Sequence, residues 1–308
     1  MIKRRLCLFF IVALLEIATS MPSFGEWVWN KETGWMKAPS SDVTTIEQRY
    51  QYALSLVVEQ KYLNAIKEFE LIIDADPKSE YAETSRINIG WAYYLNGDCK
   101  KALKMYNTVL KKNPGTRRTM EVLEKMYQVG VSQMDTNEDE AINVFEQIIE
   151  KQRLGTLAPD AQIKIADCHF KLAHYEEAVD AYEKFLENYP KNAWVPYVQY
   201  RIPLSKVHHE KQQERNYGFL TSAKEGFEEY LVTNPNGIYV EDAKRMIREI
   251  RIISAEREFN IGEFYIRRKK PKAAVMYFQT VITEYPGTLW AEKAQEKINF
   301  LRMIEAIK

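Results

Sequence analysis

The apolar positions along most of this chain recur at helical spacing, in paired stretches that end at proline. The first such string is Tyr62-x-x-Ala65-x-x-x-Phe69, closed by Pro77. The figure returns as Ala102, Tyr106 and Pro114, then as Ala141 and Phe145 with no proline, then as Ala178, Tyr182 and Pro190. Ala223, Phe227 and Pro235 make a fifth copy, and Ala274, Phe278 and Pro286 a sixth. Ala65 to Ala102 and Ala141 to Ala178 are both 37 residues. A small residue stands twelve positions before the alanine in four copies: Ala53, Gly90, Ala166 and Gly262. Small residues at both places let two antiparallel helices approach closely. The aromatic four positions after the alanine shares its helix face and fills the gap to the next pair. The proline cannot donate to the helical ladder and stops the second helix.

This is the tetratricopeptide pattern. It predicts an all-α fold, a right-handed superhelix of about six helix-turn-helix repeats with a capping helix at the C-terminal end. The expected repeats are 44–77, 82–114, 119–153, 159–190, 193–235 and 255–286, with the cap at 289–307 and the whole solenoid at 44–308. In the third copy the small position falls on Val129, so that pair is expected to splay, with Pro159 ending its stretch late. In the fifth, Pro196 and Pro203 interrupt the first helix and the polar stretch His208 to Gly218 reads as a loop. From about Ile238 to Arg268 the pattern is one long helix, on the order of 45 Å.

The N-terminal stretch differs. Lys3, Arg4 and Arg5 precede an apolar run from Leu6 to Leu15, too short to span a bilayer, and small residues follow. Residues 1–25 therefore read as a secretory signal peptide cleaved after Ser23-Phe24-Gly25. Cleavage leaves 40 basic and 42 acidic residues, a balance that offers nothing to nucleic acid. Cys7 stands at the start of the apolar run and not after it, so no lipidation cysteine is expected. Cys99 and Cys168 sit within helical patterns as small buried side chains. Residues 26–43 hold three of the six tryptophans, Trp27, Trp29 and Trp35, and alternation about Asn30 to Gly34 suggests a small hairpin. Those tryptophans either cover the first helix or form a partner-binding arm.

No catalytic constellation is present in the pattern. The four histidines, His169, His174, His208 and His209, do not flank a glutamate at zinc-helix spacing, and no Gly-x-Ser-x-Gly or phosphate-binding glycine loop occurs. No cofactor, metal or small-molecule substrate is expected; the chain reads as a non-enzymatic holder of other proteins. Two surfaces are candidates. Tyr50, Leu54 and Val57, then Ile87, Trp91 and Tyr94, with Ile163 and Phe170, are offset from the packing stripe. They either line an apolar groove for an extended peptide or contact one another. Arg267, Arg268, Lys269 and Lys270, with Lys272, fill the turn of the last repeat, either as a solvated loop or as a docking edge for an acidic partner or lipid headgroups.

Asn234-Pro235-Asn236-Gly237-Ile238-Tyr239-Val240-Glu241-Asp242-Ala243, the run Ala255 to Tyr265, Arg268, and Val281 to Thr288 resemble the BamD family (ComL/YfiO) of outer-membrane assembly proteins. Ala92-Tyr93-Tyr94-Leu95-Asn96-Gly97-Asp98 and Tyr197-Val198-Gln199-Tyr200 are similar to that family too. The resemblance implies a scaffold at the periplasmic face of the outer membrane. It implies that the C-terminal repeats, with Arg268, dock the POTRA domains of a BamA-like barrel protein, and that the N-terminal repeats meet unfolded β-barrel clients. Lipidation and five repeats are usual in that family, against six and no lipidation cysteine expected here. A CpoB/YbgF-like periplasmic adaptor, coordinating envelope constriction with the cell wall, is the alternative.

Overall fold

The computed structural model describes residues 27–30, 34–37, 45–213 and 218–307. The expected signal peptide and Cys7 lie outside the described residues. Two strands, β1 (Trp27–Asn30) and β2 (Gly34–Lys37), pair antiparallel with Trp29 opposite Trp35. The hairpin expected from the alternation is therefore present in the backbone.

Thirteen helices follow among the described residues: α1 (Ile46–Val58), α2 (Tyr62–Ala75), α3 (Glu80–Leu95), α4 (Cys99–Lys112), α5 (Thr119–Gln133), α6 (Glu138–Lys151), α7 (Ala158–Lys171), α8 (Tyr175–Asn188), α9 (Val195–Gln213), α10 (Gly218–Thr233), α11 (Val240–Arg267), α12 (Pro271–Glu284) and α13 (Leu289–Ile307). Short turns join α1 to α2, α3 to α4, α7 to α8 and α11 to α12 into helical hairpins. The chain divides into two compact units, Met1–Lys125 and Met126–Lys308.

In the first unit, Ala53, Leu56, Ala65, Phe69, Ile72, Ile89 and Ala92 close one core between α1, α2 and α3. In the second, one cluster is built on Phe227, Tyr230, Ala243 and Ile250, and another on Phe259, Ala274, Phe278 and Ile298. The alanine and aromatic of every copy, from Ala65 and Phe69 to Ala274 and Phe278, are wholly buried. Helix-starting side chains cap several first turns: Thr45, Ser79, Asp98 and Asn137 each accept from a backbone N–H. Four turns within hairpins place one residue in the left-handed region: Gln60, Gly97, Ala173 and Lys269.

Three local expectations are corrected. The small residue of the third copy is Gly130, not Val129; Val129 is wholly buried, and a Cβ on Gly130 would come within 2.9 Å of Phe145. α6 ends at Lys151 without proline, and Pro159 sits in the first turn of α7, where its missing N–H costs nothing. The fifth copy's first helix is not interrupted. α9 runs from Val195 to Gln213 with Pro196 in its first turn and Pro203 inside it, so His208 and His209 lie on a helix. Pro203 is buried against Gly226 of α10, 3.1 Å from where a Cβ would stand. The bulky and small partners are exchanged between the two helices there. The long helix α11 has 28 residues and ends at Arg267.

Candidate functional site

The predicted groove residues divide between the two units. In the first, Tyr50 is half-buried. Its ring lies 5.8 Å from Phe69 and 5.4 Å from Tyr81, and its hydroxyl accepts from Asn88 Nδ2 at 2.9 Å. Leu54 and Val57 pack against the first core. Trp91 and Tyr94 lie 5.1 Å apart on α3, and the Lys125 ammonium stands 3.6 Å above the indole. Burial pushes that ammonium below its usual pKa, against the pull of Glu121 and Glu124. Ile87 and Ile163 are closed into the core at 1% exposure, which removes both from any open groove.

A cleft of about 240 Å³ opens beside Tyr50, lined by Glu80, Tyr81, Thr84 and Arg118. Arg118 bonds Glu121 at 3.1 Å and the exposed Glu80 at 3.4 Å. Its slot, five residues past the C-cap of the preceding helix, holds Tyr81, Trp194 and Trp290 elsewhere. Here the slot holds an arginine, which lines the cleft together with the Tyr50 and Tyr81 rings. Arg118 and Lys125 were not singled out in sequence, because each meets its aromatic neighbours only through folding.

In the second unit, Phe170 is covered by its own chain. The Arg201 guanidinium lies 3.9 Å over the ring, and Tyr175 and His208 meet its edge at 5.3 and 5.2 Å. Arg201 Nε donates to the Tyr182 hydroxyl at 2.8 Å. Asp167 Oδ1 accepts from Tyr182 at 2.5 Å and from Tyr197 at 2.6 Å. Burial pushes both phenols above their usual range, and the Asp167 carboxylate adds to it. This network clasps α7, α8 and α9 together. His209 is buried against Phe219, and its Nε2 lies 4.0 Å from Glu176.

Arg267, Arg268, Lys269 and Lys270 are all exposed in the turn between α11 and α12. Arg268 lies 5.3 Å from the Phe264 ring, itself exposed. Lys269 has φ 56°, a conformation that costs a non-glycine residue about 1 kcal/mol. Gln60 and Ala173 carry the same cost in their turns, so the slot alone does not mark a site. What sets this turn apart is its four exposed cations and the exposed Phe264 ring beside Arg268.

Among the described residues, no group of histidine, cysteine, aspartate and glutamate side chains could hold a metal ion, and no helix is long and apolar enough to cross a membrane.

The helical hairpins and their buried alanine–aromatic pairs define a tetratricopeptide-type repeat protein. A family model described as YfiO, outer membrane lipoprotein, matches residues 43–140 and 120–300. The chain belongs to this family, whose description places its members at the outer membrane. An outer membrane protein assembly factor BamD of Rickettsia prowazekii is 29% identical over 176 residues, covering 55% of this chain and 68% of that protein. The BamD of Xylella fastidiosa (strain 9a5c) is 26% identical over 152 residues, 46% of this chain and 52% of that protein. The matched stretch thus spans about half of the Xylella relative. A solved structure of the C-terminal part of a TPR repeat-containing protein from Cytophaga hutchinsonii is 16% identical, with TM-score 0.44, over 83% of this chain and 89% of that one.

Proposed function

We propose that this chain is a non-catalytic scaffold of outer-membrane β-barrel protein assembly, working at the periplasmic face of the outer membrane. The family match over residues 43–300 carries the reading, and the assembly-factor names of the relatives support it. The exposed turn Arg267 to Lys270 docks the periplasmic POTRA domains of a BamA-like barrel protein. Arg268 lies beside the exposed Phe264 and its three neighbours extend the cationic edge, a mix of charge and aromatic surface that suits an interface. Tyr50, Tyr81, Trp91 and Tyr94 hold extended, aromatic-bearing segments of unfolded clients, with the cleft beside Arg118 taking one side chain.

The test is crosslinked recovery from envelope extracts with the intact chain and with Arg268→Glu/Lys269→Glu. Recovery of a BamA-like protein by the intact chain, and its loss in the variant, supports the reading. Recovery of division or cell-wall components without any barrel protein would replace it with an envelope adaptor of the CpoB/YbgF kind.

A further inference from the structure

The exposed face of α4 is a field of lysines with no acidic residue on the helix itself. From Cys99 to Arg118 the chain has seven basic residues and no aspartate or glutamate. Lys100, Lys101, Lys104, Lys111 and Lys112 are all exposed on the helix. At 3.6 residues per turn, Lys100, Lys104 and Lys111 fall within about 40° around the axis, and Lys101 and Lys112 widen the arc to about 120°. Lys101 is paired with Asp98 at the helix start, at 2.8 Å. The other four have no ion pair among the described residues. The second helices of the next two hairpins are the opposite: α6 opens with Glu138, Asp139 and Glu140, and α8 with Glu176 and Glu177. The lysine face is thus a property of α4 and not of the repeat.

We infer that the α4 face docks on the anionic phospholipid headgroups of the membrane beside which the chain works. A protein partner would need something to bury at the centre of the contact. Interface cores are poor in lysine and rich in aromatic and arginine anchors. The helix itself offers none: its polar arc is completed by the half-buried Asn107 and Thr108, and the half-buried Tyr93 of α3 already lies under Lys101, 5.3 Å away. Long, flexible lysine stems suit a diffuse headgroup layer, which asks for charge and no shape. The family's place at the outer membrane supplies such a surface, and the inference rests on that placement.

The experiment is lysine footprinting by acetylation of the full chain. It is run free, on phosphatidylcholine vesicles, and on vesicles of phosphatidylcholine mixed equally with phosphatidylglycerol. Acetylation of the five α4 lysines should slow several-fold on the mixed vesicles alone, and the protection should fade as salt is raised. A Lys100→Gln/Lys104→Gln/Lys111→Gln variant should partition onto the mixed vesicles more weakly, by about fivefold per lysine and on the order of a hundredfold in all. The matching triple arginine variant should bind as the parent does. Unchanged acetylation rates, or equal protection on both vesicles, overturn the inference. So does protection that grows with protein concentration without vesicles, since the occupant is then a second copy. Any of these with barrel-protein recovery intact removes the membrane contact and leaves the assembly reading standing.

Discussion

A Cβ atom on Gly90 would stand 2.6 Å from Tyr106 Cε1, and Tyr106 is wholly buried. Gly262 and Phe278 repeat the relationship at 2.5 Å. The hairpin partners α3 and α4 therefore meet at a distance that only glycine permits. Gly90→Ala should destabilise the chain despite alanine's better helix propensity. Overpacking costs about 1–3 kcal/mol, and the propensity gain returns about 1 kcal/mol. Gly90→Val should cost more. Urea denaturation of the three proteins checks this, and a variant as stable as the parent would mean that the Tyr106 ring has room to move.

Glu210 is 1% exposed and bonds Arg257 at 2.5 Å, linking α9 to α11. Its second oxygen, Oε2, is buried without a partner. Removing the arginine alone leaves a buried charge, so Arg257→Leu should destabilise by about 3–5 kcal/mol. Glu210→Leu/Arg257→Leu should cost much less, because no charge is left behind. Equal losses in the single and double variants, measured by thermal unfolding, would show that the pair contributes through packing and not charge.

Burial holds the imidazoles of His169 and His208 below the usual histidine pKa. Around His169 stand His174 and the carboxylates Glu177, Glu146 and Asp139. Around His208 stand Phe170, Tyr175, Lys211, Arg201 and Glu249. A group whose folded pKa is depressed takes up its proton more readily when unfolded. Stability is therefore full above the unfolded value of about 6.5 and falls as pH drops through that value toward the folded one. Denaturation midpoints should decline from pH 7 to pH 5 in the parent. His169→Gln/His208→Gln should flatten that decline; an unchanged slope would assign it to carboxylates instead.

The repeat was legible because its determinants are local. An alanine and an aromatic four positions apart mark one helix face, and a proline or a capping side chain marks its end. The long helix α11 and the last helix α13 were readable on the same ground. Pro203 was misleading because its tolerance depends on Gly226, a residue of another helix. Gly130 was missed because the spacing to its aromatic is one residue shorter than in the second and sixth copies. The candidate surfaces were half legible. Arg267 to Lys270 is a contiguous run in a turn and is exposed as expected. Ile87 and Ile163 lie at the border of the packing stripe, where helical phase alone does not separate groove from core. Phe170 needed the distant Arg201 to explain its cover.

Lys269 separates stability from docking. Its left-handed backbone is the conformation that Gly97 adopts in the equivalent turn of the second hairpin. Lys269→Gly should raise stability by about 1 kcal/mol. The same substitution should weaken capture of the barrel-protein partner, since one of four adjacent cations is gone. Calorimetry gives the first quantity and a titration with the isolated partner gives the second. Higher stability with undiminished affinity would take Lys269 out of the docking edge.

Trp91 and Lys125 are coupled in the opposite sense. The Lys125 ammonium occupies the indole face that an aromatic client side chain would use. A cation over an indole contributes about 0.5–1 kcal/mol at exposed sites, so Lys125→Ala should release the face and tighten binding of an aromatic-bearing peptide by a few-fold. Trp91→Ala/Tyr94→Ala removes the surface itself. Both rings are only half-buried, so that variant should fold and should bind such a peptide far more weakly than the parent. Fluorescence anisotropy with a labelled β-strand peptide ending in phenylalanine measures all three proteins. An affinity that moves in neither variant would place client binding elsewhere in the chain and leave Trp91 with a purely structural contact.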